Sequence, residues 1–171
     1  MDVLVRPAAA VDATAIAVVQ VASWRSAYRG IVPDEVLAAL DVVERTAGWH
    51  SRLTDRASGD VVHIAELGSR TVGFVAAGAA CEPEPVGATA ELYAIYVAPD
   101  CWRGGVGGAL HLACLDALRR AGHRAVCLWV LEANSVARSF YERMAWRCDG
   151  GRDEHPFGAE RLPIVRYRRE L

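Results

Sequence analysis

The chain contains no lysine: all 19 of its basic residues are arginine. A Walker-type nucleotide loop, which ends in Gly-Lys-Ser/Thr, is therefore excluded. Cysteines are few and scattered. Cys81, Cys101, Cys114, Cys127 and Cys148 are odd in number and form no Cys-x-x-Cys, which favours free thiols in a reducing cytoplasm over a disulfide framework. Cys114 and Cys127 read as small buried hydrophobes, and no metal site is expected. No apolar run approaches the ~20 residues of a membrane span, so no membrane partner is expected. The formal net charge of −2 leaves no basic footprint for nucleic acid. The first residues, Met1 to Arg6, lack the pattern of a signal peptide. There is no repeat and no linker, so the 171 residues are expected to form a single domain over 1–171 with room for a real core. The composition, 53% hydrophobic and 23% charged, is that of a soluble globular protein.

What is present is concentrated in one stretch. Glu91-Leu-Tyr-Ala-Ile-Tyr-Val97 is rich in aromatic and branched residues and is stopped by Pro99, which predicts a strand. Val106, Ala109, Leu110, Ala113, Cys114, Ala117 and Leu118 then recur at helical spacing up to Arg119-Arg120 and Gly122, which predicts an amphipathic helix with a glycine stop. Between them lie Arg103-Gly104-Gly105-Val106-Gly107-Gly108, with four glycines in five residues. Such a backbone can approach a ligand closely and adopt positive φ. The free N–H groups and dipole of a helix start hold an anion, and Arg103 adds positive charge. The residues therefore point to a phosphate or pyrophosphate site. It is not the dinucleotide fingerprint, because Leu110 stands where a third small residue is needed after Gly105 and Gly107.

This strand, loop and helix resemble the acyl-CoA loop of the GNAT superfamily of N-acetyltransferases, in which a strand, often with Val-x-Pro, leads into Gln/Arg-x-x-Gly-x-Gly/Ala. Gly105 and Gly107 match the two glycines. Trp102 stands where Gln or Arg is usual, with the arginine one place later. A second segment, Asn134-x-x-Ala137-x-x-Phe140-Tyr141, resembles the family's second signature, with Ala145-Trp146 in place of its Gly-Phe. The resemblance implies an α/β (mixed α+β) fold with six to seven strands and about four helices. It also implies acetyl-CoA as co-substrate, an amine of a small molecule or a protein as acceptor, and a homodimer as one common assembly. In the family's arrangement Gly104, Gly105, Val106, Gly107 and Gly108, with Trp102 and Arg103, would take the pyrophosphate. The main chain of Ile95, Tyr96 and Val97 would pair with the pantetheine arm, and Asn134, Ala137 and Phe140 would line it. A non-catalytic CoA-binding sensor or partner module is the alternative reading.

The rest of the chain reads as follows. Val3 to Val5 is a short strand. Asp12 caps a helix from Ala13 to about Tyr28, with Ile16, Val19 and Ser23 inward. Pro33, Asp34 and Glu35 open the next helix, and a further helical piece covers Glu44 to Leu53. Asp60–Glu66 and Thr71–Ala77 form a hairpin, Cys81–Gly87 a surface loop, and Ala88–Val97 the key strand. Arg124–Leu131 should pair with it in parallel through a right-handed crossover. Trp146–Asp149 and Ile164–Leu171 should be the last two strands, separated by a long loop, with Ile164–Leu171 at the sheet edge. Trp24 and Tyr28 resemble the acceptor-pocket wall of related chains; Trp49 is a further aromatic of interest.

Acetyl transfer needs a donor to the carbonyl oxygen, an acid for the departing thiolate and a base for the amine. Tyr141 is the candidate acid: from a phenol near ~10 to a thiolate near ~8.5 the transfer is uphill by about 2 kcal/mol. Glu91 is the candidate base, directly or through water. From an ammonium at ~10.4 to a carboxylate at ~4.3 the transfer is uphill by about 8 kcal/mol, so burial or a water chain must help. His63 and His111 are further candidates that read as structural, with His111 on the exposed side of its helix.

Overall fold

The computed structural model describes residues 2–55, 59–80 and 90–171. The expected loop Cys81–Gly87 lies outside the described residues. In chain order the elements are β1 (Val3–Pro7), α1 (Ala13–Ala27), α2 (Asp34–Ala38), α3 (Val42–Thr54), β2 (Val61–Leu67), β3 (Arg70–Ala79), β4 (Ala90–Val97), α4 (Val106–Arg120), β5 (Ala125–Leu131), α5 (Ser135–Arg143), β6 (Arg147–Phe157) and β7 (Glu160–Glu170). The strands form one sheet in the order β1-β2-β3-β4-β5-β7-β6. Every neighbouring pair is antiparallel except β4–β5, which is parallel. The expected mixed sheet has seven strands and five α-helices.

Two cores follow from the two faces. On one face, Ile16, Ala17 and Val19 of α1 pack with Trp49 of α3 on Ile64, Phe74 and Ala76. Trp49 belongs to this core: its ring meets Phe74 edge-on at 5.0 Å, and its indole N–H donates to Gln20 Oε1 at 2.8 Å. On the other face Leu110, Cys114, Leu115 and Leu118 of α4 pack with Val75, Leu92, Leu128, Tyr141 and Tyr167. Arg6 closes the bottom of the first face by bonding both Asp12 and Glu66. That pairing holds the Asp12 carboxyl below the usual carboxylate range.

Three expectations are corrected. The segment after Asp149 is not a long loop. β6 runs on to Phe157 and turns at Gly158-Ala159 into β7, so the two strands make one long hairpin. Gly158 carries the turn with φ +63°, and a bulge at 149–151, with Gly150 at φ +88°, re-registers the pair. β7 is consequently not the edge strand. It lies between β5 and β6, and β6 forms the edge. Val165 and Tyr167 are buried, while Arg166 bonds Asp149 at 2.9 Å and lies over the Trp129 ring. Finally, His111 is not exposed; it is fully buried, because α5 and Trp146 cover the flank of α4.

Candidate active site

Among the described residues, β4 pairs with β5 only at Ala90↔Val126 and Glu91↔Cys127, the first two positions of β4. Beyond Glu91 the strands part while β5 turns to β7 for its whole length. The gap is lined by main-chain groups. Ala98 N–H donates to Val72 O on β3 at 2.8 Å. By strand alternation Val97, and Ile95 two residues earlier, turn their own N–H and C=O away from β3 and into the gap. Tyr96 does the opposite. Its main chain is in register with Phe74 on β3, and its phenol lies 3.1 Å from that of Tyr28.

A bulge sets this arrangement. β3 pairs Ala76 with Ala94 but Ala77 with Leu92, so Tyr93 is an extra residue in β4. Leu92, Ile95 and Val97 consequently face the α4 core, while Ala94 and Tyr96 face α1. Such an insertion bends and twists a strand locally, which fits the divergence from β5.

The loop after β4 is held from both sides. Arg70 bonds Asp100 Oδ2 at 2.8 Å and Cys101 Sγ at 2.9 Å. The Trp102 indole N–H donates to Val97 O at 2.7 Å. Arg103 then takes φ +63° and Gly105 φ +81°, and α4 begins at Val106. Arg103 to Gly105 are exposed, and α4 has no side-chain N-cap, so the N–H groups of its first turn are open to an anion. Gly107 leaves room there. A Cβ on it would sit 3.5 Å from the Phe140 ring and 3.8 Å from Val97, ordinary contacts. The fold thus does not require glycine at 107. These features fit a cofactor with a diphosphate and an amide-bearing arm.

α5 brings the second signature to the other side of the gap. Asn134 caps it, its Oδ1 accepting from Ala137 N–H at 3.1 Å. Tyr141 is buried, with its ring against Phe140, Trp146 and Tyr167. Burial raises its phenol well above the usual value, and the nearness of Tyr96 adds to the rise. Burial likewise raises Tyr28, with Tyr96 and Tyr141 both contributing. The Tyr28 and Tyr96 phenols, from the C-cap of α1 and from β4, are in contact, and the Tyr141 phenol on α5 is within electrostatic reach of them. Glu91 is half-buried on β4, at the last pair before the strands part. His63 lies on β2 opposite Val75, two strands from the gap.

Trp24 meets Tyr28 edge-on at 5.0 Å, Tyr96 at 6.2 Å and Phe157 at 6.2 Å. Sequence reasoning placed Trp24 and Tyr28 here but missed two members of the cluster. Tyr96 was expected only as a main-chain contact, and Phe157 was assigned to a loop. Trp24 also borders a pocket of about 410 Å³ whose lining includes Glu35, Asp41, Glu44 and Arg45. The Arg45 guanidinium lies 5.7 Å from the Trp24 ring centre.

The parallel strand pair opens over a glycine-rich helix start with a tyrosine-bearing helix opposite, a cleft suited to an extended ligand with an anionic group at one end. Residues 21–146 match the Acetyltransferase (GNAT) family. The chain is similar to the uncharacterized N-acetyltransferase YuaI of Bacillus subtilis, 36% identical over 77% of this chain and 73% of that protein. In fold it is similar to the PaiA N-acetyltransferase of Thermoplasma acidophilum in complex with coenzyme A, with TM-score 0.79, 19% identity and full coverage of both chains. It is also similar to a ribosomal-protein-alanine N-acetyltransferase of Brucella melitensis, with TM-score 0.76 and 19% identity over 98% of this chain and 99% of that one. The chain belongs to the GNAT acetyltransferase family, and acetyl-CoA is its co-substrate.

Proposed function

We propose that the protein moves the acetyl group of acetyl-CoA directly to a primary amine, of a small molecule or a protein, within the gap between β4 and β5. The observation that carries this reading is the parting of those strands after Glu91, with the main chain of Ile95 and the Val97 N–H turned into the gap. Acetyl-CoA supplies an acetyl group activated as a thioester. Main-chain N–H groups from Gly104 to Gly108, with Arg103, hold the diphosphate. The Ile95 main chain pairs with the amide-bearing arm as a strand would, the Val97 C=O being taken by the Trp102 indole, and Ala137 and Phe140 flank the arm. Asn134 acts mainly by holding α5, since its Oδ1 is spent on the cap. The Val97 N–H faces the reacting carbonyl; one such donor is worth roughly 3 kcal/mol.

Tyr141 holds the proton for the departing sulfur at its phenol oxygen. Burial moves this phenol up rather than down, against what acid catalysis alone would want. The same burial also strengthens the base it serves. The Cys114 thiol, buried in α4, is pushed up to about 12, and a thiolate expelled into a similar environment rises in the same direction. The mismatch of about 2 kcal/mol at reference values therefore need not grow. Glu91, at the apex of the opening, accepts the amine proton directly or through water. Trp24, Tyr28, Tyr96 and Phe157 wall the acceptor, and the carboxylates of Glu35, Asp41 and Glu44 beyond Trp24 favour an acceptor that carries positive charge.

The test is thiol release from acetyl-CoA, followed colorimetrically against a panel of cationic amines, neutral amines, amino acids and peptide N-termini. Release with cationic amines above the rest, together with an N-acetyl product by mass spectrometry, supports the reading. Release confined to hydroxyl acceptors, or none with any amine, refutes it.

A further inference from the structure

His111 is a fully buried titratable side chain that the mechanism above does not use. Its Nε2 lies 2.8 Å from Trp146 Nε1. An indole nitrogen only donates, so Nε2 is the acceptor and the neutral ring carries its proton on Nδ1. That Nδ1 is buried and has no partner among the described residues. A buried imidazole with one bond satisfied and one unmet is an expensive way to fill space beside a helix start.

Its neighbours suggest what it does. The imidazole stands edge-on to Phe140 at 6.2 Å and close to Trp146 at 6.1 Å. Phe140 and Trp146 both pack on Tyr141, with ring centres at 5.4 Å and 5.9 Å. Trp146 also donates its main-chain N–H to Tyr141 O at 3.0 Å. The turn between them passes through Ala145 at φ +61°, an uncomfortable conformation for alanine that needs outside support. His111 is thus a polar contact by which α4 grips the corner that carries Tyr141.

We propose that His111 is a positioning residue for acetyl transfer: by accepting the Trp146 indole N–H and backing Phe140, it fixes the angle at which α5 presents the Tyr141 phenol to the gap. This rests on the reading of Tyr141 as the proton donor.

The test is a set of variants, His111→Leu, Trp146→Phe, Tyr141→Phe and their pairs, each measured for coenzyme A affinity by calorimetry and for kcat and KM per folded enzyme. His111→Leu leaves the indole N–H unmet. We expect kcat to fall about tenfold while coenzyme A affinity and the acetyl-CoA KM stay within twofold. Combining it with Trp146→Phe should cost little further kcat, because both changes remove the same contact. Adding His111→Leu to Tyr141→Phe should cost nothing further, because the histidine acts through the tyrosine. A merely structural histidine would lower the melting temperature and leave kcat of the folded enzyme unchanged; that result overturns the proposal, as would full additivity with Tyr141→Phe. If Tyr141→Phe alone leaves turnover intact, the reading of Tyr141 fails first and independently. Should His111→Leu not fold, Trp146→Phe alone and His111→Gln, whose carbonyl can accept the indole N–H, decide the matter: the first must lower kcat and the second retain it.

Discussion

A glutamate placed at position 107 should abolish coenzyme A binding while the fold stands. The structure separates the two effects. A Cβ at Gly107 meets Phe140 at 3.5 Å and Val97 at 3.8 Å, within ordinary contact, and the residue lies in the first turn of α4. Gly107→Ala should therefore stabilise the free protein by about 0.5–1 kcal/mol through lost chain entropy. Gly107→Glu adds a carboxylate to a helix start, where the dipole welcomes it in the free protein. When a diphosphate binds, the two negative charges compete for the same N–H groups. At about 5 Å and an effective dielectric near 20, one carboxylate–phosphate pair costs about 3 kcal/mol, which is a loss of over ~100-fold in affinity. Titration calorimetry with coenzyme A, beside melting curves of both variants, measures this. The alanine variant is the control for bulk: if it weakens binding as much as glutamate does, sterics rather than charge is responsible. A folded glutamate variant that titrates with normal affinity would refute the placement of the diphosphate.

Other consequences are directly measurable. Tyr141→Phe should lower turnover at least tenfold with acetyl-CoA affinity retained; steady-state kinetics and calorimetry on the same sample decide it, and unchanged turnover removes Tyr141 from the mechanism. Ala145→Gly relieves a left-handed alanine and should raise stability by about 1 kcal/mol, read as a shift in urea midpoint. His111 is held down to about 4 from 6.5, chiefly by burial, with the charges of Arg169 and Arg119 adding to it. The unfolded chain binds this proton more readily, so the associated stability is complete above pH ~6.5 and is lost as pH falls toward 4. Allowing for solvent screening, the loss is on the order of 2 kcal/mol. Urea midpoints at several pH values should show this acid limb in the parent protein and a shallower one in the double variant His111→Leu/Trp146→Phe.

Local chemistry made the strand, loop and helix from β4 to α4 legible from sequence. The glycines after β4, the stop at Pro99 and the helical stripe from Val106 depend only on neighbours in the chain. So does the hairpin of β2 and β3. What depended on distant packing was not legible. The bulge at Tyr93 reverses the facing of β4, so an unbroken alternation would have put Tyr96 on the wrong side. β6 is exposed along nearly its whole length; with no buried face it has no hydrophobic period, and Phe157 was lost with it. His111 follows Leu110 at the margin of the α4 stripe, and only the arrival of α5 buries it. The two non-glycine residues at positive φ, Arg103 and Ala145, lie in the two signature segments where this sequence departs from the family pattern.

The most direct test is a crystal structure of the protein with coenzyme A. Density for the diphosphate against the N–H groups of Gly104 to Gly108, with the arm running between Val97 and α5 toward the Tyr141 phenol, is the expected result. Coenzyme A bound elsewhere, or β4 and β5 closed onto each other beyond Glu91 in its presence, would contradict the account.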